Sequence, residues 1–283
     1  MKRKNSCKIG KALRQAVAFD VRCGFLQVRK YYIVPFILAI FVCTQFYNYK
    51  SYGQETHVCF TFLDYLYRFM EGVPFLEITE NTIFKIPGEW FLFYTLLLFS
   101  GMIYPKSYVN GMGIQNMVRV RSTKIWWLSK CIWMFEHICL YFSVLYVVIF
   151  LFSWKMGSLK PVFTTIDMGL INEGTIKTGI LVFGVLPICT IYMINIWQVL
   201  ISFLSNSLLG MLAGISVLIV SVYLQQELIP GNYLMALRNQ SFTIKGVNTM
   251  IGISFSIFMS VVGILIGNAV LKKKDFLKKK GDF

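Results

Sequence analysis

Ile125-Trp-Trp-Leu-Ser-Lys-Cys-Ile-Trp-Met-Phe-Glu-His-Ile-Cys-Leu-Tyr-Phe-Ser-Val-Leu-Tyr-Val-Val-Ile-Phe-Leu-Phe-Ser-Trp154 is a run of thirty residues whose only charges are one lysine and one glutamate. Wound as an α-helix it measures about 45 Å, at 1.5 Å per residue. A hydrocarbon layer takes about 20 residues, so this run crosses one, tilted or with its start outside the lipid.

Five further apolar blocks extend the pattern in both directions, at 31–47, 90–104, 176–200, 203–224 and 247–271. The block at 90–104 is short on hydropathy and borrows residues from its flanks. Hydrophobic residues make up 56% of the chain and charged residues 14%, against about a quarter charged in soluble domains. The expected fold is therefore all-α: a single transmembrane domain over 1–283, six spans, both termini on one side of the cell membrane.

Charge sets the orientation. Of 28 Lys and Arg, nine lie at 2–30, five at 106–130 and six at 272–280; against them stand only Asp20, Asp275 and, just past the last cluster, Asp282. Basic residues are retained on the cytoplasmic side. The amino-terminal segment, the 105–124 loop and the 272–283 tail are thus expected inside, and the 48–89 loop outside. Because the clusters border apolar runs, they read as topogenic charge and as attraction to anionic lipid, not as a nucleic-acid surface.

The shorter segments carry weaker signals. Ile9, Ala12, Leu13, Ala16 and Val17 recur at helical spacing within 1–30, as in an amphipathic helix on the inner membrane surface. Phe60, Leu63, Tyr67 and Met70 form a similar stripe in the outer loop. Segment 225–246 contains Pro230-Gly231 and could dip back into the membrane. Gly210 with Gly214, and Gly263 with Gly267, allow close helix contact. Pro187 is expected to kink its span and free a carbonyl. The seven cysteines include no Cys-x-x-Cys pair and read as small apolar residues.

Catalytic chemistry finds no support. There is no Gly-x-x-x-x-Gly-Lys-Ser/Thr phosphate cradle, so no ATP hydrolysis, bound cofactor or metal is expected of this chain. Glu136 and His137 are ionisable and lie about nine residues, or ~14 Å, into their span. Ionisable groups at such depth usually face other helices or a water-filled path. They are candidate pathway residues, the alternative being a buried glutamate hydrogen-bonded to a neighbouring helix.

The segment Gly111-Met-Gly-Ile-Gln-Asn-Met-Val-Arg-Val-Arg-Ser-Thr-Lys-Ile-Trp-Trp-Leu-Ser-Lys130, with Phe84-Lys-Ile-Pro-Gly-Glu-Trp90 and Tyr104-Pro105, resembles the small six-span permeases of the type-2 ABC transporter family of Gram-positive bacteria. Arg119, Arg121, Ser122, Lys124, Trp126, Trp127 and Lys130 carry the likeness, and Thr123 departs from an expected basic position. The resemblance implies a cytoplasmic coupling helix over 107–118 that docks on a separate ABC ATPase subunit, which holds ATP and Mg. Ser107, Tyr108, Asn110, Gln115, Asn116, Arg119 and Arg121 would make that contact. It also implies a second permease subunit, identical or related, and ATP-driven export of a peptide or lipophilic compound. Independently of the family, Lys124, Trp126, Trp127 and Lys130 are expected as anchors at the lipid head groups. Two other classes stay open on sequence alone. One is an ATPase-independent channel or secondary carrier, the other a non-transporting immunity or assembly factor.

Overall fold

The computed structural model describes residues 2–53, 60–74, 86–107, 122–156, 159, 176–224, 226–243 and 246–273. Among them the secondary structure is helical, apart from one isolated bridge between Asn239 and Val247. Helix α1 (Lys2–Val28) passes through a 3-10 turn, Arg29–Tyr32, directly into α2 (Ile33–Gly53). After α3 (Phe62–Met70) come α4 (Gly88–Ser107) and α5 (Thr123–Lys155). A π-helical segment, Ile180–Val185, leads into α6 (Leu186–Leu204), followed by α7 (Ser207–Tyr223) and α8 (Thr249–Lys273).

Four helical stretches are long and apolar enough to cross a membrane: Gly10–Asn48, Thr123–Lys155, Ile180–Leu204 and Thr249–Lys272. Outside that set stand α4, with 20 residues, and α7, with 17. The first stretch is 39 residues long, where a surface helix and a separate span were expected. Between them the helical course continues through the 3-10 turn at Arg29–Tyr32, and Pro35 falls in the first turn of α2, where its missing N–H costs little.

Helix α1 uses its apolar stripe against the protein. Ala16, Asp20, Gly24 and Val28, four apart, are all buried. Gly24 permits the approach, since a Cβ there would sit 2.0 Å from Trp133 Nε1. Asp20 meets Lys130, Gly24 meets Trp133 and Tyr32 meets His137, so the two helices run in the same direction where they touch. The other side of α1 exposes Phe19, Phe25 and Leu26, a face suited to lipid.

The remaining signals can be traced one by one. The Phe60–Met70 stripe becomes α3, started by a capping box in which Asp64 Oδ2 accepts from Thr61 N at 2.8 Å and Thr61 Oγ1 accepts from Asp64 N at 3.3 Å. Pro187 leaves the carbonyl of Phe183, four residues back, without its helical N–H. The hydroxyl of Tyr146 donates to it at 2.6 Å, which is how a broken helix is tolerated away from water. The glycine pairs serve contacts within the chain: a Cβ at Gly210 would lie 2.6 Å from Ser202 Cβ, and one at Gly267 would lie 2.5 Å from Trp127.

Segment 226–243 is folded back onto the bundle. Arg238 is fully buried and donates to the carbonyls of Ser221 and Val222 at the end of α7, to Val73 O at 2.9 Å and to Asn232 Oδ1. A guanidinium suits the last carbonyls of a helix, which carry partial negative charge. Burial lowers its pKa to about 10, so it stays protonated at neutral pH.

Candidate functional site

Of the residues expected to contact a partner, Ser107 closes α4, and its side chain is not among those described. Tyr108, Asn110, Gln115, Asn116, Arg119 and Arg121 lie outside the described residues. What the structure does define is how the two helices on either side of them are held.

Four side chains converge there. Asp20 comes from α1, Tyr104 from α4, and Ser129 and Lys130 from α5, all at 1% exposure or less. The carboxylate of Asp20 accepts from Lys130 Nζ at 2.7 Å and from Tyr104 Oη at 2.8 Å on one oxygen, and from Ser129 Oγ at 2.6 Å on the other. Lys130 Nζ also lies 4.4 Å from the centre of the Tyr104 ring and 5.6 Å from that of Trp126. A buried charge is costly unless paired and hydrogen-bonded, and here both charges are. Chemically the cluster is a clasp: it ties α1 to α4 and α5, the helices before and after residues 108–121 in the chain.

The four expected head-group anchors therefore divide. Lys124 is exposed, whereas Trp126 and Trp127 are 2% and 1% exposed and Lys130 is 0% exposed. Lys130 is no phosphate contact: its ammonium is turned inward because Asp20 supplies the counter-charge. Trp127 donates from Nε1 to Ile264 O at 3.0 Å, fastening α5 to α8. Sequence reading missed Asp20, although a signal was present. It is the only acid in the first basic patch, and it occupies the apolar stripe four residues after Ala16.

Glu136 and His137 do not form a joint site. His137 is 1% exposed, stacks on Trp133 with ring centres 5.3 Å apart, and is held at both nitrogens. Nδ1 lies 2.8 Å from Tyr32 Oη, and Nε2 lies 2.9 Å from Ser100 Oγ. Since the Ser100 hydroxyl also reaches Leu97 O at 3.0 Å, one consistent arrangement has Tyr32 donating to Nδ1, Nε2–H donating to Ser100, and Ser100 donating to Leu97 O. That is a satisfied neutral imidazole joining the α1–α2 turn, α4 and α5. Glu136 points elsewhere. It is half-exposed, and among the described residues no hydrogen bond or ion pair reaches its carboxylate.

Two buried amides on α6 were also missed. Asn195 is fully buried and neither of its amide atoms has a partner among the described residues; Gln198, 1% exposed, lacks one for Oε1. Polar residues inside the apolar 176–200 run were the available signal. A cavity of about 440 Å³ is lined by Phe62, Leu63 and Leu66 of α3, Tyr146 and Phe150 of α5, and the π-helical segment. Comparison with protein-family models, curated proteins and solved structures finds no match for this chain.

Proposed function

We propose that this chain is the membrane-spanning subunit of an ABC transporter of the type-2 class, an exporter of a peptide or lipophilic compound. It crosses the plasma membrane six times, with α4 and α7 joining the four longer helices and both termini inside. The basic patches support that orientation, and the 17 residues of α7, about 26 Å of helix, suit a locally thinned or tilted crossing.

One observation carries the mechanism: Asp20 ties α1 to Tyr104 and to Lys130, the helices on either side of the 108–121 segment. A separate ATPase docks on that segment, aided by Arg119 and Arg121. When ATP closes the ATPases, the push reaches α4 and α5 together, and the clasp makes α1 and the continuous α2 move with them. A second permease subunit completes the pathway, and substrate must prefer one of the two states for coupling to occur. The 440 Å³ cavity, of a size typical for small-molecule sites and apolar in its walls, supports a lipophilic substrate.

The test is purification of the tagged chain with its neighbours identified by mass spectrometry, then flux in reconstituted vesicles. Recovery of a Walker-type ATPase and ATP-dependent flux, both lost on joint Arg119→Ala and Arg121→Ala substitution, is expected. Flux without any ATPase would instead make it a channel or carrier, and a stable ATPase-free complex without flux an assembly or immunity factor.

A further inference from the structure

The side of α5 turned away from its own bundle carries Glu136, Cys139, Ser143 and Val147, each half-exposed or exposed. Spaced three or four apart, they share one face of the helix. Cys139 and Ser143 are small, and the Ser143 hydroxyl is already given to Cys139 O at 2.7 Å, so this stretch asks for no polar neighbour. Small residues at four-residue spacing let two helices approach closely in lipid. Glu136 is different. Among the described residues no hydrogen bond or ion pair reaches its carboxylate, and an ionisable group turned toward hydrocarbon is costly, which is why such groups are usually paired.

The complementary charge stands at the same depth on α1. Gly24 meets Trp133 and Tyr32 meets His137. Because the two helices run in the same direction, Arg29 lies within about one turn, ~5 Å, of the level of Glu136. Phe25 stacks on Tyr32 with ring centres 5.7 Å apart, which puts Phe25 at the seam between α1 and α5. Arg29 follows it by four residues on the same side of the helix and is exposed. No ion pair among the described residues takes up its guanidinium.

Two copies of one chain with the same orientation in a membrane are related by a twofold axis along the membrane normal. Such an axis joins residues of equal depth, and joins each pair twice. Glu136 and Arg29 meet that condition. Acyl chains bring no cation to Glu136, whereas a second copy brings a planar guanidinium, which can bind a carboxylate through two parallel N–H bonds.

We propose that a second copy of this chain docks on the outward face of α5, with Glu136 of each copy paired to Arg29 of the other and Cys139 and Ser143 at the helix crossing. This rests on the transporter reading in needing a second membrane subunit; it adds that the subunit is identical and names the contact. Within one copy Glu136 makes no polar contact among the described residues, so Glu136→Gln leaves the stability of the protomer as it is and reads association alone.

The experiment uses the full chain, carrying two different epitope tags, in its native membrane, with benzoylphenylalanine at Leu140, which is exposed beside Glu136. The expected product joins the two tags, with the second copy attached through 22–30 or 136–147. The same probe at Leu265, on the exposed face of α8, should label lipid instead. In phosphatidylcholine vesicles, Förster transfer between labelled copies then follows dimerisation on dilution with lipid. Glu136→Gln and Arg29→Gln should each weaken it at least about a hundredfold, because each dimer loses two charge-assisted bonds. Joint Glu136→Arg and Arg29→Glu substitution should restore it. No self-cross-link from position 140, an equal yield from position 265, or dimerisation that ignores both single substitutions overturns the proposal, as does an exchange no better than the singles. A cross-link from position 140 to a different membrane protein, recovered together with an ATPase, also overturns it and leaves the transporter reading standing. Self-association with the expected mutant pattern but without any ATPase supports the contact and removes that reading.

Discussion

Substituting Asp20 by Asn is the most informative change to the clasp. The variant keeps size and one acceptor oxygen but leaves the Lys130 ammonium, at 0% exposure, without a counter-charge. Breaking a buried pair from one side typically costs about 3–5 kcal/mol. Tyr104 Oη at 3.4 Å and the faces of Tyr104 and Trp126 remain for the ammonium, and a desolvated cation–π contact is worth about 2 kcal/mol. The expected loss is therefore near the lower end, about 3 kcal/mol. Lys130→Met alone strands the carboxylate, with only the Tyr104 and Ser129 hydroxyls to hold it, at a similar cost. The double variant has no stranded charge and should recover about 2–3 kcal/mol relative to the sum of the singles. Denaturant titration in mixed micelles, run as a double-mutant cycle, reads this coupling. Additivity within about 0.5 kcal/mol, as for independent sites, would refute the pairing and with it the link from α1 to α5.

Other substitutions test separate joints. Gly24→Leu places carbon where Trp133 stands, with the nearest atom 2.0 Å from the first added carbon, and should detach α1 from α5, read as new cross-linking access to a cysteine at position 16. Arg238→Met removes the donors to Ser221, Val222 and Val73. It should cost at least about 2–3 kcal/mol by the same titration, and Arg238→Lys should not restore it, because an ammonium lacks the fork. Because burial lowers the folded pKa to about 10, below that of the unfolded chain, the folded state releases its proton first, and stability rises with pH only above about pH 9. The Arg238 contribution should thus be flat at neutral pH and change only in strong alkali. His137→Phe should lose about 1–3 kcal/mol, from stranding Tyr32 and Ser100, while Glu136→Gln should leave stability within about 0.5 kcal/mol, a contrast one thermal series measures.

Much of the fold was legible because spans in lipid are written in long apolar runs. The 125–154 run became α5 almost residue for residue, and the Phe60–Met70 stripe became α3. What hydropathy cannot encode is which side of a span faces protein. Lys130 and both tryptophans carry a strong head-group signal by type; Asp20 of α1 turns Lys130 inward, while both indoles lie against Phe203 of α6 and Trp127 is also held by Ile264 of α8. Asp20 likewise looks topogenic until its place on the stripe is weighed. The His137 contacts, from residues 32 and 100, and the Arg238 clamp depend on partners distant in the chain, so no local pattern announces them. The 39-residue opening helix was divided in sequence because charge stops at Lys30, whereas helical geometry does not.

The central claim is that the segment after α4 receives a separate ATPase. A photo-crosslinking amino acid at Asn116, introduced into the otherwise intact chain in its native membrane, tests it most directly. The expected result is a cross-link to a protein carrying a Walker-type nucleotide site, with a yield that changes when ATP is depleted. Efficient cross-linking to lipid or to this chain alone, unchanged by ATP, would contradict the account.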